Sequence, residues 1–158
     1  MERLSICTAD VPFDLEDLQS GRRFTPMRAY GQAKLALVMS GYRLARQLEG
    51  SGVTVNALHP GVVATGIADA LVPRPLRPVM RLAKPFLRLR TPEEGAQTII
   101  YLATAPELAS ITGKYFIDGR EHRSPAVSHD QLLQDRLWQR STELVGLTPT
   151  DPLAVNAA

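Results

Sequence analysis

The sequence predicts an α/β fold built on a parallel sheet, and three observations carry that prediction. Residues 26–49 form a long amphipathic run that opens on Thr25-Pro26 and closes on Gly50-Ser51-Gly52. A β-branched run, Val53-Thr54-Val55-Asn56-Ala57-Leu58, follows at once, so a helix, a glycine stop and a buried strand stand in series. Later in the chain, a helical run from Thr91 is followed by the apolar stretch Thr112-Gly113-Lys114-Tyr115-Phe116-Ile117-Asp118-Gly119. Helices alternating with short apolar strands belong to parallel sheets covered on their faces.

The elements follow in order. Residues 1–7 read as the tail of a strand, and residues 10–23 as a loop with one helical turn at 15–18. Thr25 is a good N-cap and Pro26 suits the first helical position. Leu37, Val38, Leu44, Ala45 and Leu48 give the long helix an apolar stripe, and the glycines after it supply its C-cap. His59-Pro60-Gly61 begins where the next strand ends, and open α/β sheets bind ligands outside the carboxyl ends of their strands. Residues 68–90 break the pattern. Pro73, Pro75, Pro78 and Pro85 divide them into short helical pieces. Arg74, Arg77, Arg81, Lys84, Arg88 and Arg90 alternate there with large apolar residues. Thr91-Pro92-Glu93-Glu94 sets up a capping box for a helix reaching about residue 103. Ser128 caps a last helix through Val145, whose Leu132, Leu133, Leu137 and Trp138 read as core or dimer packing. Residues 148–158 read as a disordered tail.

Composition bounds the function. A chain of 158 residues, 44% of them hydrophobic, has the size of one domain and enough apolar side chain for a core. The single cysteine, Cys7, excludes an internal disulfide framework and a thiolate zinc site, and points to a reducing, cytoplasmic setting. A net charge of +2 gives no reason to expect nucleic acid. Residues 1–10 are too short and mixed for a signal peptide, and no apolar run reaches about 18 residues, so no spanning helix is expected. His122 and His129 lack a third ligand at metal-binding spacing; they read as surface residues, and no metal site is expected.

The chemistry centres on Tyr30-Gly31-Gln32-Ala33-Lys34. Residues four apart on a helix share a face, one turn from each other. An ammonium beside a phenol favours the phenolate and lowers the tyrosine's pKa from about 10. That makes the phenol a usable general acid or base. The competing reading is an exposed helical pair with no chemistry. His59 is a general base by residue type, but as a strand-end residue it is expected to pack locally.

Tyr30-x-x-x-Lys34 on a helix, then a strand, then His59-Pro60-Gly61, resembles the short-chain dehydrogenase/reductase superfamily. The closer match is its retinol-dehydrogenase-like branch. Met27-Arg28-Ala29-Tyr30-Gly31-Gln32-Ala33-Lys34 looks like that branch's active-site helix. Thr91-Pro92-Glu93-Glu94-Gly95-Ala96-Gln97-Thr98 and Gly113-Lys114-Tyr115-Phe116 resemble its downstream helix and last strand. The tyrosine–lysine spacing alone is a weak signal; joined in order to the later segments it is specific.

The resemblance implies the C-terminal part of a Rossmann-type doubly wound parallel sheet over residues 1–147, with the N-terminal strands and glycine-rich turn absent. It implies NADP or NAD as cofactor and a small apolar alcohol, aldehyde or ketone as substrate. Tyr30 would exchange the proton with the substrate oxygen, Lys34 would hold the nicotinamide ribose, and Ser5 would hydrogen-bond the same oxygen. Pro60, Gly61, Val63 and Thr65 would form the turn that meets the cofactor, and residues 68–90 the substrate lid. The cations of 71–90 leave open a peripheral contact with an anionic membrane. The long helix suggests a homodimer. The alternative function is a catalytically silent remnant acting as a binding or interaction module.

Overall fold

The structure is a computed structural model that describes residues 12–22, 24–61, 63, 74–79 and 89–147. Its regular elements are α1 (Pro26–Gln47), β1 (Ala57–His59), α2 (Pro92–Thr104), β2 (Tyr115–Ile117), β3 (Arg120–His122) and α3 (Gln131–Leu144). The expected helical turn near residue 15 is a 3-10 turn, Leu15–Asp17, whose N-cap Asp14 accepts from the backbone of Glu16 and Asp17.

α1 starts as its sequence dictates. The Thr25 hydroxyl accepts from the Arg28 amide, satisfying a donor that has no partner within the helix, and Pro26 needs none. The helix ends at Gln47, and Gly50 and Gly52 take φ of 79° and 80° in the turn beyond it. The buried stripe differs from the expected one. Leu35, Val38, Met39 and Tyr42 face inward, whereas Leu37 is 65% exposed. Spacings of three and four from Leu35 define the stripe, and Leu37 falls between its turns.

α1 is the spine of the core. Leu35 and Met39 pack on Leu137 of α3, with Phe13, Leu15, Leu18 and Leu133 around them. Val38 and Tyr42 pack on Tyr115 of β2, with Ala57 and Ile117 beside them. One helix therefore joins the sheet to α3 and to the loop before it.

The sheet has the order β1-β2-β3. β1 and β2 are parallel, with Leu58 opposite Phe116, as the helix–strand series predicts. β3 is antiparallel to β2, so the sheet is mixed rather than wholly parallel. The expected last strand through Gly119 stops at Ile117. Asp118 and Gly119, at φ 56° and 70°, form the tight hairpin turn that an Asp-Gly pair favours. The expected strand from Val53 is laddered only from Ala57. Ahead of it, side chains add to one backbone bond, from the Gly113 amide to the Val55 carbonyl. The Val55 amide donates to Thr112 Oγ1 at 3.0 Å, and the Lys114 amide donates to Asn56 Oδ1 at 3.0 Å.

α2 carries the full capping box: Thr91 Oγ1 accepts from the Glu94 amide, and Glu94 accepts from the Thr91 amide. α3 begins later than expected. Its N-cap is Asp130, which accepts from the Leu133 amide, while Ser128 sits in a preceding 3-10 turn, Ala126–His129. Ser128 is fully buried and its hydroxyl donates to the Pro125 carbonyl, so it is not free to cap the helix. The expected stripe on α3 divides: Leu137 is buried and Leu132 is 71% exposed.

Candidate active site

α1 brings Tyr30 and Lys34 together. Lys34 Nζ lies 5.5 Å from the centroid of the Tyr30 ring, so the ammonium sits by the phenol one turn away. Lys34 also carries its charge toward the end of β1. The imidazole of His59, the last residue of β1, lies within the field of the Lys34 charge.

His59 is held by its own turn. Its Nδ1 accepts from the Gly61 amide at 2.9 Å, which requires the neutral ring. Burial pushes its pKa below the ordinary value of about 6.5; Asp118 opposes that shift, and Arg90 and Lys34 reinforce it. The expected local packing of His59 is what the structure shows. Gly61 has φ of 81°, a conformation that favours glycine.

Val63 sets its side chain against α2. A Cβ on Gly95 of α2 would lie 2.7 Å from Val63 Cγ2, so the valine methyl rests against the bare glycine. Val63 also forms an isolated parallel bridge with Arg90. Pro60 and Gly61 are described at the β1 end; Ser5, Thr65 and residues 68–73 and 80–88 of the expected lid lie outside the described residues. Within that segment a 3-10 turn, Arg74–Leu76, is described, and Leu76 and Val79 are exposed.

Two groups of residues were missed by sequence reasoning. Gln32, inside the tyrosine–lysine motif, is 1% exposed. It accepts from the Asp14 amide at 3.1 Å and donates to the carbonyls of Asp17 at 2.8 Å and Leu18 at 3.2 Å. It therefore fastens the acidic loop to the helix that carries the phenol. Only its amide side chain, donor and acceptor at once, hints at this in sequence.

The second group is Tyr42, Ser124, Ser128 and His129. Ser124 Oγ lies 2.7 Å from Tyr42 Oη, 2.6 Å from Ser128 Oγ and 3.0 Å from His129 Nε2. Ser128 spends its one hydroxyl hydrogen on Pro125 O. Hydrogen counting then has Ser124 donate to Ser128 and accept from both Tyr42 and the Nε2–H of His129. A histidine that donates to a serine is not activating it, so this is not a nucleophile–base pair. His129 is exposed, as its spacing suggests, and its ring also stacks on Tyr42, centroids 5.2 Å apart. Among the described residues no group of three His, Cys, Asp or Glu side chains could hold a metal ion, and no helix is long and apolar enough to cross a membrane.

Comparison with known proteins identifies the family. The family model described as enoyl-(acyl carrier protein) reductase matches residues 16–119, more than half of the 158. Polyprenol dehydrogenase of Danio rerio is 46% identical over 137 residues, which is 84% of this chain and 41% of that protein. Human retinol dehydrogenase 14 is 39% identical over 87% of this chain and 40% of its own length. Human retinol dehydrogenase 13 is 41% identical over 85% of this chain and 41% of its own length. The fold and these matches define the class: the chain belongs to the short-chain dehydrogenase/reductase family of oxidoreductases. Within that family its place is the retinol-dehydrogenase-like branch. The chain spans about two fifths of the length of the curated relatives it matches.

Proposed function

We propose that this chain carries the proton-transfer apparatus of an NAD(P)-dependent oxidoreductase acting on an apolar alcohol or its carbonyl product. Tyr30 is the general acid/base. Lys34 favours its phenolate and holds the nicotinamide ribose. The supporting observation is the Lys34 ammonium, 5.5 Å from the Tyr30 ring and within electrostatic reach of His59 at the end of β1. Opposite charge close to a phenol stabilises its deprotonated form, which can take a proton from an alcohol near neutral pH.

The residues present suit the nicotinamide end of the cofactor. A cation and a phenol share one helix face, and the turn at Pro60-Gly61 leaves a strand end for backbone contacts, where α/β sheets bind ligands. Val63, with its side chain on Gly95, would contribute through its backbone. The bound cofactor supplies the hydride chemistry. The chain's own residues orient the substrate oxygen and move its proton. Ser5 and Thr65 enter this reading through the family resemblance, Ser5 as a hydrogen-bond donor to the same oxygen and Thr65 on the cofactor turn. The relatives named for polyprenol and retinol support a long apolar substrate, with residues 68–90 as its cover.

The test is turnover of retinal or a prenyl alcohol by the purified chain, followed through nicotinamide absorbance. Tyr30→Phe keeps the ring and removes the proton donor. Loss of at least about a hundredfold in kcat is expected, the usual contribution of general acid–base catalysis. Turnover that survives the change overturns the assignment of Tyr30. A folded chain without turnover under any of these conditions favours the catalytically silent binding module.

A further inference from the structure

Arg90 stands at the start of α2, thirty residues beyond Pro60, yet its side chain lies on the Pro60-Gly61 turn. Its Nη1 is 2.5 Å from Asp118 Oδ1 and 3.5 Å from the Pro60 carbonyl oxygen. A Cβ on Gly61 would lie 2.8 Å from both Cδ and Nε of Arg90 and 3.0 Å from Cζ. The guanidinium end therefore lies flush against the bare Cα of Gly61. Its backbone is bridged to Val63, two residues past the glycine. Asp118 is itself fixed, in the tight turn between β2 and β3.

We propose that Arg90, held by Asp118, is a positioning residue for the Pro60-Gly61 turn. It sets the outer wall against which the turn is shaped, while His59 holds the turn from within through the Gly61 amide. The brace ties the carboxyl end of β2 to that of its parallel neighbour β1. This rests on the reading that the turn receives a nicotinamide dinucleotide; the geometry of the brace stands without it. Arginine suits the task for a specific reason. Its plane lies along a glycine backbone and its fork pairs with a carboxylate at the same time, whereas a lysine offers a point charge and no plane. A partly exposed ion pair adds little to global stability, so the loss of Arg90 falls on the turn rather than on the whole fold.

The experiment reads amide exchange by NMR on the full labelled chain. Gly61 reports the turn. Gly113, whose amide donates to the Val55 carbonyl at 2.8 Å, reports the sheet away from it. Arg90→Ala is expected to speed exchange at Gly61 by at least about tenfold and leave Gly113 unchanged, a local opening rather than a global one. Arg90→Lys restores less than half of that protection. Asp118→Asn keeps a residue type that tolerates the left-handed backbone, and it speeds Gly61 alone by a smaller factor. Equal acceleration at both glycines, or none at Gly61 in either Arg90→Ala or Asp118→Asn, overturns the proposal. NADH and NADPH are titrated in parallel. Weaker dinucleotide binding in Arg90→Ala than in the wild-type chain links the brace to the cofactor. A wild-type chain that binds neither dinucleotide removes the functional reading and leaves the exchange result to decide the brace.

Discussion

His59 shows how one residue can couple chemistry to pH. Its Nδ1 must be unprotonated to accept from the Gly61 amide. Burial, with the charges of Arg90 and Lys34, outweighs Asp118 and keeps the ring's folded-state pKa below about 6.5. The unfolded chain then binds the proton more readily than the folded one. The stabilisation is fully present above about pH 6.5 and is lost as the pH falls through the lower, folded-state value. The thermal midpoint is therefore expected to drop on acidification from about pH 7 to pH 5. His59→Asn, whose side-chain oxygen accepts without titrating, flattens that part of the profile. An unchanged slope in the variant removes His59 as its cause. Gln32 makes a related point without titrating. It lies between Tyr30 and Lys34 and binds the loop around Asp14 and Asp17, so the motif also attaches that loop to α1.

At the scale of the element, α2 is aligned by small contacts at its first turn. The capping box fixes where it starts, and Gly95 lets it approach Val63. Gly95→Ala would place its Cβ 2.7 Å from a valine methyl, closer than real side chains come. Valine is stiff at χ1 and yields poorly. The substitution removes a helix-weakening glycine, worth about 1 kcal/mol in its favour, but overpacking costs about 1–3 kcal/mol. A net loss in urea denaturation is expected, and Val63→Ala in the same chain recovers it. Additive effects of the two substitutions would show that the contact is not what limits the helix. α1 shows the opposite case, an element set almost wholly by its own sequence through Thr25, Pro26 and the glycines beyond residue 49.

At the scale of the molecule, α1 is shared by two core clusters, one with α3 and one with the sheet. The helix that carries Tyr30 and Lys34 is therefore placed by packing against both α3 and the sheet. Leu137 is 1% exposed and lies between α3 and α1, whereas Leu132 on the same helix is 71% exposed. Leu137→Ala is expected to cost about 2–5 kcal/mol in chemical denaturation, and Leu132→Ala less than about 0.5 kcal/mol. Similar losses at both positions would mean that Leu132 is buried in an assembly in solution.

The sequence by itself determined the family, α1 with its caps, the capping box of α2, the parallel pairing of β1 with β2, and the pairing of Tyr30 with Lys34. These rest on local signals: a residue that caps, a glycine that tolerates a positive φ, a side chain one helical turn from another. The tertiary structure alone decided that Leu37 and Leu132 face outward, that Asp130 rather than Ser128 caps α3, that Asp118-Gly119 leads into an antiparallel β3, and that Arg90 lies on the Gly61 turn. The Asp-Gly pair was a readable hairpin signal. The α3 cap turned on a local competition, Ser128 being taken by the Pro125 carbonyl; Arg90 was unreadable because it meets its turn across thirty positions of chain. A leucine's helix position does not say which neighbour arrives to bury it, and an arginine's charge does not name its carboxylate. Those outcomes follow from how elements pack around α1, and packing is a property of the assembled whole.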